Sequence, residues 1–327
     1  MKLSHRRQFL HLATGAVALP AVSCIAAAQT FPTRPITMTV GFAAGGAADT
    51  IARVVVQSMT RFLGQNFIIE NVGGADGSVA AGRVARARPD GYMINLGSIG
   101  PQVLNGAYYS LPYDVLNDFA PISPLVTLPA LLFARKTLPA SNLTQLIDWL
   151  KLNPNRASVG RATLLYHLIA TLFQKETGTQ FAIIPYRGGA SAVQDLLAGQ
   201  IDLVISTVDK LPLVRGGSIK VFAVTSDTRI AAAPDVPTFV EMGLPAVSYS
   251  EWIALFAPKG TPTAVVGKLN AAAVEALADP IVRSRLADLG FEIFPREKET
   301  PEALAAMQKA DARKWWPIIK ELGINPE

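Results

Sequence analysis

Cysteine and histidine are nearly missing from this chain of 327 residues, which holds one cysteine and three histidines. The lone Cys24 allows no internal disulfide. Only His167 lies outside the first 28 residues, so a zinc site of the usual His and Cys kind lacks ligands. A Ser-His-Asp triad would have to be built around that same side chain. Charge is sparse too, at 17% of residues against 50% hydrophobic. The conspicuous glycine loop at 41–46 has no Lys-Ser/Thr after its last glycine, which a P-loop needs, and its glycines lack G-x-G-x-x-G spacing. Phosphoryl-transfer and nicotinamide chemistry therefore lack their signatures, and no nucleotide or metal cofactor is expected. No apolar run is long enough to span a bilayer. What remains is a chain with little catalytic equipment and ample apolar residues for a core, which points to binding rather than reaction.

The N-terminus has a basic start at Lys2, Arg6 and Arg7, an apolar stretch at 12–22 and three alanines at 26–28. That order is expected of a secretory signal covering 1–28, with the mature protein in the periplasm. Ser4-His5-Arg6-Arg7-Gln8-Phe9-Leu10 is similar to a twin-arginine export signal; an ordinary secretory signal that holds two arginines is the alternative. Lipidation of Cys24 is disfavoured by Ala21, where a bulky aliphatic is usual. The chain has 30 basic and 25 acidic residues, and loss of the three leader cations leaves 27 against 25. Nucleic acid is therefore not an expected partner.

The rest of the chain alternates strands and helices. A β-rich run at 36–40 breaks at Gly41, passes through Phe42-Ala43-Ala44-Gly45-Gly46 and becomes a helix with apolar Ile51, Val54, Val55 and Met59. Such a junction leaves backbone N–H groups unpaired at the helix start, a ready site for an anion. Further strands are expected at 67–71, 93–97, 131–134, 157–159, 181–184, 203–206, 219–224 and 252–256. Further helices are expected at 78–87, 142–151 (capped by Ser141), 164–177, 190–198, 263–277, 280–289 and 302–322. Residues 112–129, rich in proline, read as a crossover region. The pattern is that of an α/β protein with mostly parallel sheets flanked by helices. Residues 29–130 are expected to form the first part of one lobe, 131–250 a second lobe, and 251–327 a return segment packed on the first.

Ligands of open α/β sheets sit beyond the carboxyl ends of the strands. Four loops qualify: 42–49; Gly97-Ser98-Ile99-Gly100-Pro101-Gln102; Gly160-Arg161-Ala162-Thr163; and Pro185-Tyr186-Arg187-Gly188-Gly189-Ala190. Ser206-Thr207 is a lesser fifth. The candidate ligand-binding residues are Phe42, Ala44, Gly45, Gly46, Asp49, Ser98, Gln102, Gly160, Arg161, Ala162, Thr163, Tyr186, Gly188 and Ser206. Asp49 can equally support the start of its helix.

The segment 184–190, Ile-Pro-Tyr-Arg-Gly-Gly-Ala, followed by Asp195-Leu196-Leu197-Ala198-Gly199-Gln200-Ile201-Asp202, resembles the signature of the Bug family. These are the extracytoplasmic receptors of tripartite tricarboxylate transporters. Further matches are Gly45-Gly46-x-x-Asp49; Pro89-Asp90-Gly91-Tyr92; Leu111-Pro112-Tyr113-Asp114; Asp118-Phe119-Ala120-Pro121; Pro234-Asp235-Val236-Pro237-Thr238; and Ala257-Pro258-x-Gly260-Thr261-Pro262. The resemblance implies a two-lobed periplasmic-binding-protein fold, type II-like, closing on a small organic carboxylate held by backbone N–H groups near 45–49 and 160–163. It implies delivery to a membrane permease by a monomeric receptor. Three or four charge-assisted backbone bonds at ~1.5–3 kcal/mol each, less the cost of closing, suit an affinity on the order of micromolar.

Two departures from the family pattern stand out. Ala43-Ala44 and Ala47-Ala48 replace prolines and a Ser-Thr pair, and Ala162 replaces a glycine. A wall with fewer hydroxyls is expected to suit an aromatic or apolar carboxylate. The rival readings are an exported hydrolase or isomerase using His167 with Ser98 or Thr163, and a sensory receptor engaging a kinase ectodomain.

Overall fold

The computed structural model describes residues 31–324. The export signal expected at 1–28, with Cys24 and the two arginines, lies outside the described residues. All elements below belong to the compact unit that begins at Pro32.

The strands are β1 (Ile36–Val40), β2 (Phe67–Asn71), β3 (Met93–Ser98), β4 (Phe119–Arg135), β5 (Ser158–Arg161), β6 (Ala182–Pro185), β7 (Leu203–Thr207), β8 (Ile219–Val224), β9 (Ser250–Pro258) and β10 (Glu292–Ile293). The helices are α1 (Ala47–Leu63), α2 (Ser78–Ala85), α3 (Asn105–Tyr108), α4 (Leu143–Leu152), α5 (Leu164–Thr177), α6 (Gly189–Leu197), α7 (Leu211–Arg215), α8 (Thr263–Ala278), α9 (Pro280–Asp288) and α10 (Pro301–Glu321). The strand order is β2-β1-β3-β9-β4-β7-β5-β6, with β8 and β10 also paired to β4.

The outer strands are parallel: β1 with β2 and β3 at one end, β5 with β6 and β7 at the other. The middle is antiparallel, because β4 and β9 run against each other and against β3 and β7. β4 is 17 residues long, about three times a usual strand, and it belongs to both halves. Residues 119–129 pair with β9, and residues 130–135 with β7 and β8. This corrects the expected strand at 131–134, which is only the last part of β4. Pro121 and Pro124 sit where the pairing with β9 shifts register, the places where a ladder tolerates a missing N–H. Prolines that looked like a crossover loop thus mark bulges in a strand that joins the two lobes.

Helix ends follow local chemistry. α1 ends at Gly64 (φ 68) and α5 at Gly178 (φ 68), both left-handed and both returning their N–H to the last turn. Asn142, rather than Ser141, caps α4: its side chain accepts from Gln145 N at 2.9 Å, while Gln145 Oε1 takes Ser141 N. Thr163 caps α5 by accepting from Tyr166 N at 3.3 Å.

After β9 the chain runs through α8 and α9, which pack on α1, and α10, which packs on β4. Trp315 of α10 and Trp252 of β9 are fully buried. Asp311 joins these elements by accepting from Trp252 Nε1 and Tyr249 Oη, both at 2.8 Å. Trp316 donates Nε1 to Val103 O at 2.9 Å, fastening α10 to the segment after β3.

Candidate functional site

Three strand-to-helix junctions meet at the carboxyl ends of β1, β2 and β3. A Cβ on Gly41 would stand 2.6 Å from Gly77 Cα, so the exit of β1 lies directly against the loop after β2. Phe42 closes the contact from above, its ring tip 3.5 Å from the Cβ position of Gly77, and its carbonyl accepts from Asn71 Nδ2 at 3.0 Å. The third junction runs from Ser98 into a π-helical turn at Gly100–Leu104, a wide turn type that recurs at functional sites.

The loop after β2 is strained. Ala75 (φ 44), Asp76 (φ 50) and Gly77 (φ 85) are left-handed in succession. Each non-glycine member costs on the order of 1–3 kcal/mol and persists only if its surroundings impose it. Asn105, fully buried, supplies that constraint: its Nδ2 donates to Ala75 O (3.3 Å), Asp76 O (3.1 Å) and Ser78 Oγ (2.8 Å). The turn aims the Asp76 carboxylate at the start of α5. Its Oδ2 accepts the N–H of Leu164, the first residue of α5, at 3.1 Å and stands 3.0 Å from the Cβ position of Gly100. Here a carboxylate of the protein itself sits on a helix start, the arrangement that favours anions.

A second contact joins the halves beside the first. Glu251 of β9, almost fully buried, accepts from Tyr166 Oη of α5 at 3.3 Å. Burial, and then the neighbouring charge of Asp76, push the Glu251 carboxyl up to about 7. Burial pushes the Asp76 carboxyl up to about 6, against the pull of the Leu164 amide and the Arg161 guanidinium. Asp76 as a whole is partly exposed, but its Oδ1 is sealed from solvent. Burial and the Glu251 charge hold the Tyr166 phenol well above its usual range.

The residues singled out from the sequence fall into two groups. In the first, Ala44, Gly45 and Gly46 form the exposed tip before α1. Asp49, in the first turn of α1, is buried and accepts from Gly45 N and Arg53 Nε, each at 2.9 Å. The hydrogen bond from Arg53 is the main reason its carboxyl stays below the ordinary value. Asp49 therefore consumes the Gly45 amide, and the amides of Ala47, Ala48 and Asp49 precede the first bond of the helix, Thr50 N to Gly46 O. Ser98 closes β3 and faces Glu251. Gln102 is fully buried beneath Gly97, with Nε2 on Asn95 Oδ1 at 2.9 Å.

In the second group, Gly160 lies under the Tyr186 ring, 3.2 Å from its Cβ position. Tyr186 donates its hydroxyl to Asp195 Oδ2 at 2.7 Å, tying the loop to α6. Arg161, Ala162 and Thr163 form the junction from β5 to α5, all partly exposed. Gly188 caps α6 with extended backbone and no side-chain bond, and Ser206 Oγ lies 3.5 Å from the Cβ position of Gly189. The two groups meet through Asp76 and Glu251, neither of which was singled out from the sequence. Gly73-Gly74-Ala75-Asp76-Gly77 carries the same strand, glycine loop and helix signal as 41–46. Glu251 gives no local signal, since it is one acid on an apolar strand.

Among the described residues no three His, Cys, Asp or Glu side chains stand close enough to hold a metal, and no helix is long and apolar enough to cross a membrane. Residues 51–324 match the model of the tripartite tricarboxylate transporter family receptor. The chain belongs to this receptor family. A UPF0065 protein from the TAR-I ttuE-ttuC' intergenic region of Agrobacterium vitis is 36% identical over 319 residues, covering 97% of this chain and 92% of the relative. The structure of the periplasmic binding protein BugD has a TM-score of 0.83 at 36% identity, covering 91% of this chain and 100% of that one. MatC from Rhodopseudomonas palustris, solved with bound malate, has a TM-score of 0.82 at 35% identity and covers 88% of this chain and 100% of its own. The receptor thus has the two-lobed α/β fold of periplasmic binding proteins, and its similar structures are solute-binding proteins.

Proposed function

We propose that this receptor captures a small organic carboxylate between its lobes in the periplasm and hands it to the membrane permease of a tripartite tricarboxylate transporter. The observation that carries the reading is the meeting of the three junctions after β1, β2 and β3 with the start of α5. Membership of the receptor family and the malate bound to MatC support the carboxylate as guest. Residues 29–130 with 251–327 form one lobe and 131–250 the other, hinged where β4 and β9 cross; the placing of β9 between β3 and β4 supports this division. The first turns of α1 (Ala47, Ala48, Asp49) and α6 (Gly189, Ala190, Ser191) supply the donors, aided by Ser98, Thr163 and Ser206, the last of which lies beside Gly189. Residues 1–28 are the export signal, and the mature receptor works as a monomer by binding alone.

The test is titration of the mature protein with mono-, di- and tricarboxylates, read by tryptophan fluorescence and thermal unfolding. A ligand at one hundred times its Kd adds about 2.7 kcal/mol of stability. At about 2–4 °C per kcal/mol the melting point rises by roughly 5–10 °C. Flat traces for every carboxylate would refute the reading.

A further inference from the structure

Two hydrogen bonds fasten the first turn of α5 to the opposite side of the site, and both are made by groups of the protein alone. Asp76, in the left-handed turn after β2, accepts the Leu164 N–H at 3.1 Å. Glu251, near the start of β9, accepts the Tyr166 hydroxyl at 3.3 Å. On the division of lobes proposed above, both acceptors belong to one lobe and both donors to the other. Each side of the contact is fixed from behind. Asn105 holds the strained turn by donating to Ala75 O, Asp76 O and Ser78 Oγ. Leu164 and Tyr166 are set in the core beneath α5, at 1% and 4% exposed. The bond from Tyr166 is shielded from water, because Glu251 is itself only 8% exposed. One force works against the contact: the charge of Asp76 disfavours that of Glu251, which keeps the pair releasable.

We propose that Asp76 and Glu251, gripping the first turn of α5, are a latch between the lobes that sets the affinity for every guest by one common factor. This rests on the carboxylate reading above and adds a regulation of the same site. The form of a two-lobed receptor that holds its guest is the closed one, and apparent affinity scales with the fraction of molecules in that form. The latch bonds contain no guest atom, so they raise that fraction with or without a guest and equally for all guests. A side chain that touched the guest would instead weigh more for some guests than for others. Asp76 and Glu251 are thus positioning residues: they bring the two halves of the site together.

The experiment compares the mature protein with Asp76→Gly, Asp76→Asn and Tyr166→Phe. Glycine and asparagine both tolerate the left-handed backbone at 76, and asparagine keeps an acceptor for the Leu164 N–H. Calorimetry gives affinities for malate, succinate, adipate and benzoate, and small-angle X-ray scattering gives the radius of gyration before and after saturation. Asp76→Gly is expected to weaken every carboxylate that binds by ~10–100-fold, and Tyr166→Phe by ~3–10-fold. For each variant the factor is expected to agree among guests to within ~2-fold, and Asp76→Asn to fall between Asp76→Gly and the wild type. Without guest, Asp76→Gly is expected to scatter as a larger particle than the wild type and to contract to the wild-type size on saturation. An unchanged affinity in Asp76→Gly overturns the latch and leaves the carboxylate reading standing. So does a factor that differs by ~10-fold or more among guests, the mark of a direct contact. If no carboxylate binds to any of the four proteins, the carboxylate reading falls and scattering alone decides: equal radii without guest overturn the latch as well.

Discussion

Replacing Glu251 by glutamine tests whether the two acids between the lobes are as poorly solvated as their surroundings indicate. Glu251 is nearly sealed, and its carboxyl is pushed from the ordinary 4.5 up to about 7 by burial and by Asp76. Between those values the folded chain holds a proton that the unfolded chain has released. Stability therefore falls as pH rises through the window and stays lost above it. The interval corresponds to ~3 kcal/mol for Glu251 alone. Asp76, displaced from 3.8 to about 6, acts in the same direction, and mutual repulsion makes the two effects overlap rather than add. In a chain of this size ~3 kcal/mol is worth roughly 6–12 °C of melting temperature. Urea unfolding and thermal scans of the ligand-free protein at pH 5 and pH 8 should show the wild type less stable at pH 8 by about that amount. Glu251→Gln keeps an acceptor for Tyr166 Oη but carries no charge. It should flatten most of the slope and be the more stable protein at pH 8. A wild type whose stability is level or rises from pH 5 to pH 8, or a variant with an unchanged slope, would refute this reasoning.

Three other substitutions probe the frame. Gly41→Ala places a methyl group 2.6 Å from Gly77 Cα, which is backbone and cannot swing aside; a loss of ~1–3 kcal/mol in urea unfolding is expected, with weaker ligand binding as the two junctions part. Asp311→Ala strips the acceptor from the Trp252 indole and the Tyr249 hydroxyl. It should cost ~2–5 kcal/mol and alter tryptophan emission, and a loss below 1 kcal/mol would contradict the joining role given to Asp311. Asn105→Ala removes three hydrogen bonds from the left-handed turn at 75–77. Amide exchange in that turn should quicken and affinity should drop even though Asn105 touches no guest; unchanged exchange would contradict the clamp.

The alternation of strands and helices was legible because it depends on local chemistry. Apolar positions recur at helical spacing before Gly64 and Gly178, and both glycines end their helices in the left-handed form that only glycine adopts freely. The long β4 was not legible. Its register shifts are decided by a partner, β9, more than a hundred residues later in the chain, and proline alone reads as loop. The junctions at 41–46, 98–102, 160–163 and 185–190 were legible from glycines that follow strands. The loop at 73–77 carries the same signal, Gly73-Gly74-Ala75-Asp76-Gly77 after a strand. Glu251 could not be found at all from the sequence, because its importance comes from the side chains that β9 brings it to: Ser98, Tyr166 and Asp76.

If helix-start amides hold a carboxylate between the lobes, amide hydrogen exchange sees those groups one by one. The mature protein would be compared without ligand and saturated with the tightest-binding guest of the panel above. Protection should rise most at Ala47–Asp49 of α1, at Leu165 of α5 and at Gly189–Ser191 of α6, together with the turn at 75–77. Protection that rises only elsewhere, or on one lobe alone, would contradict it.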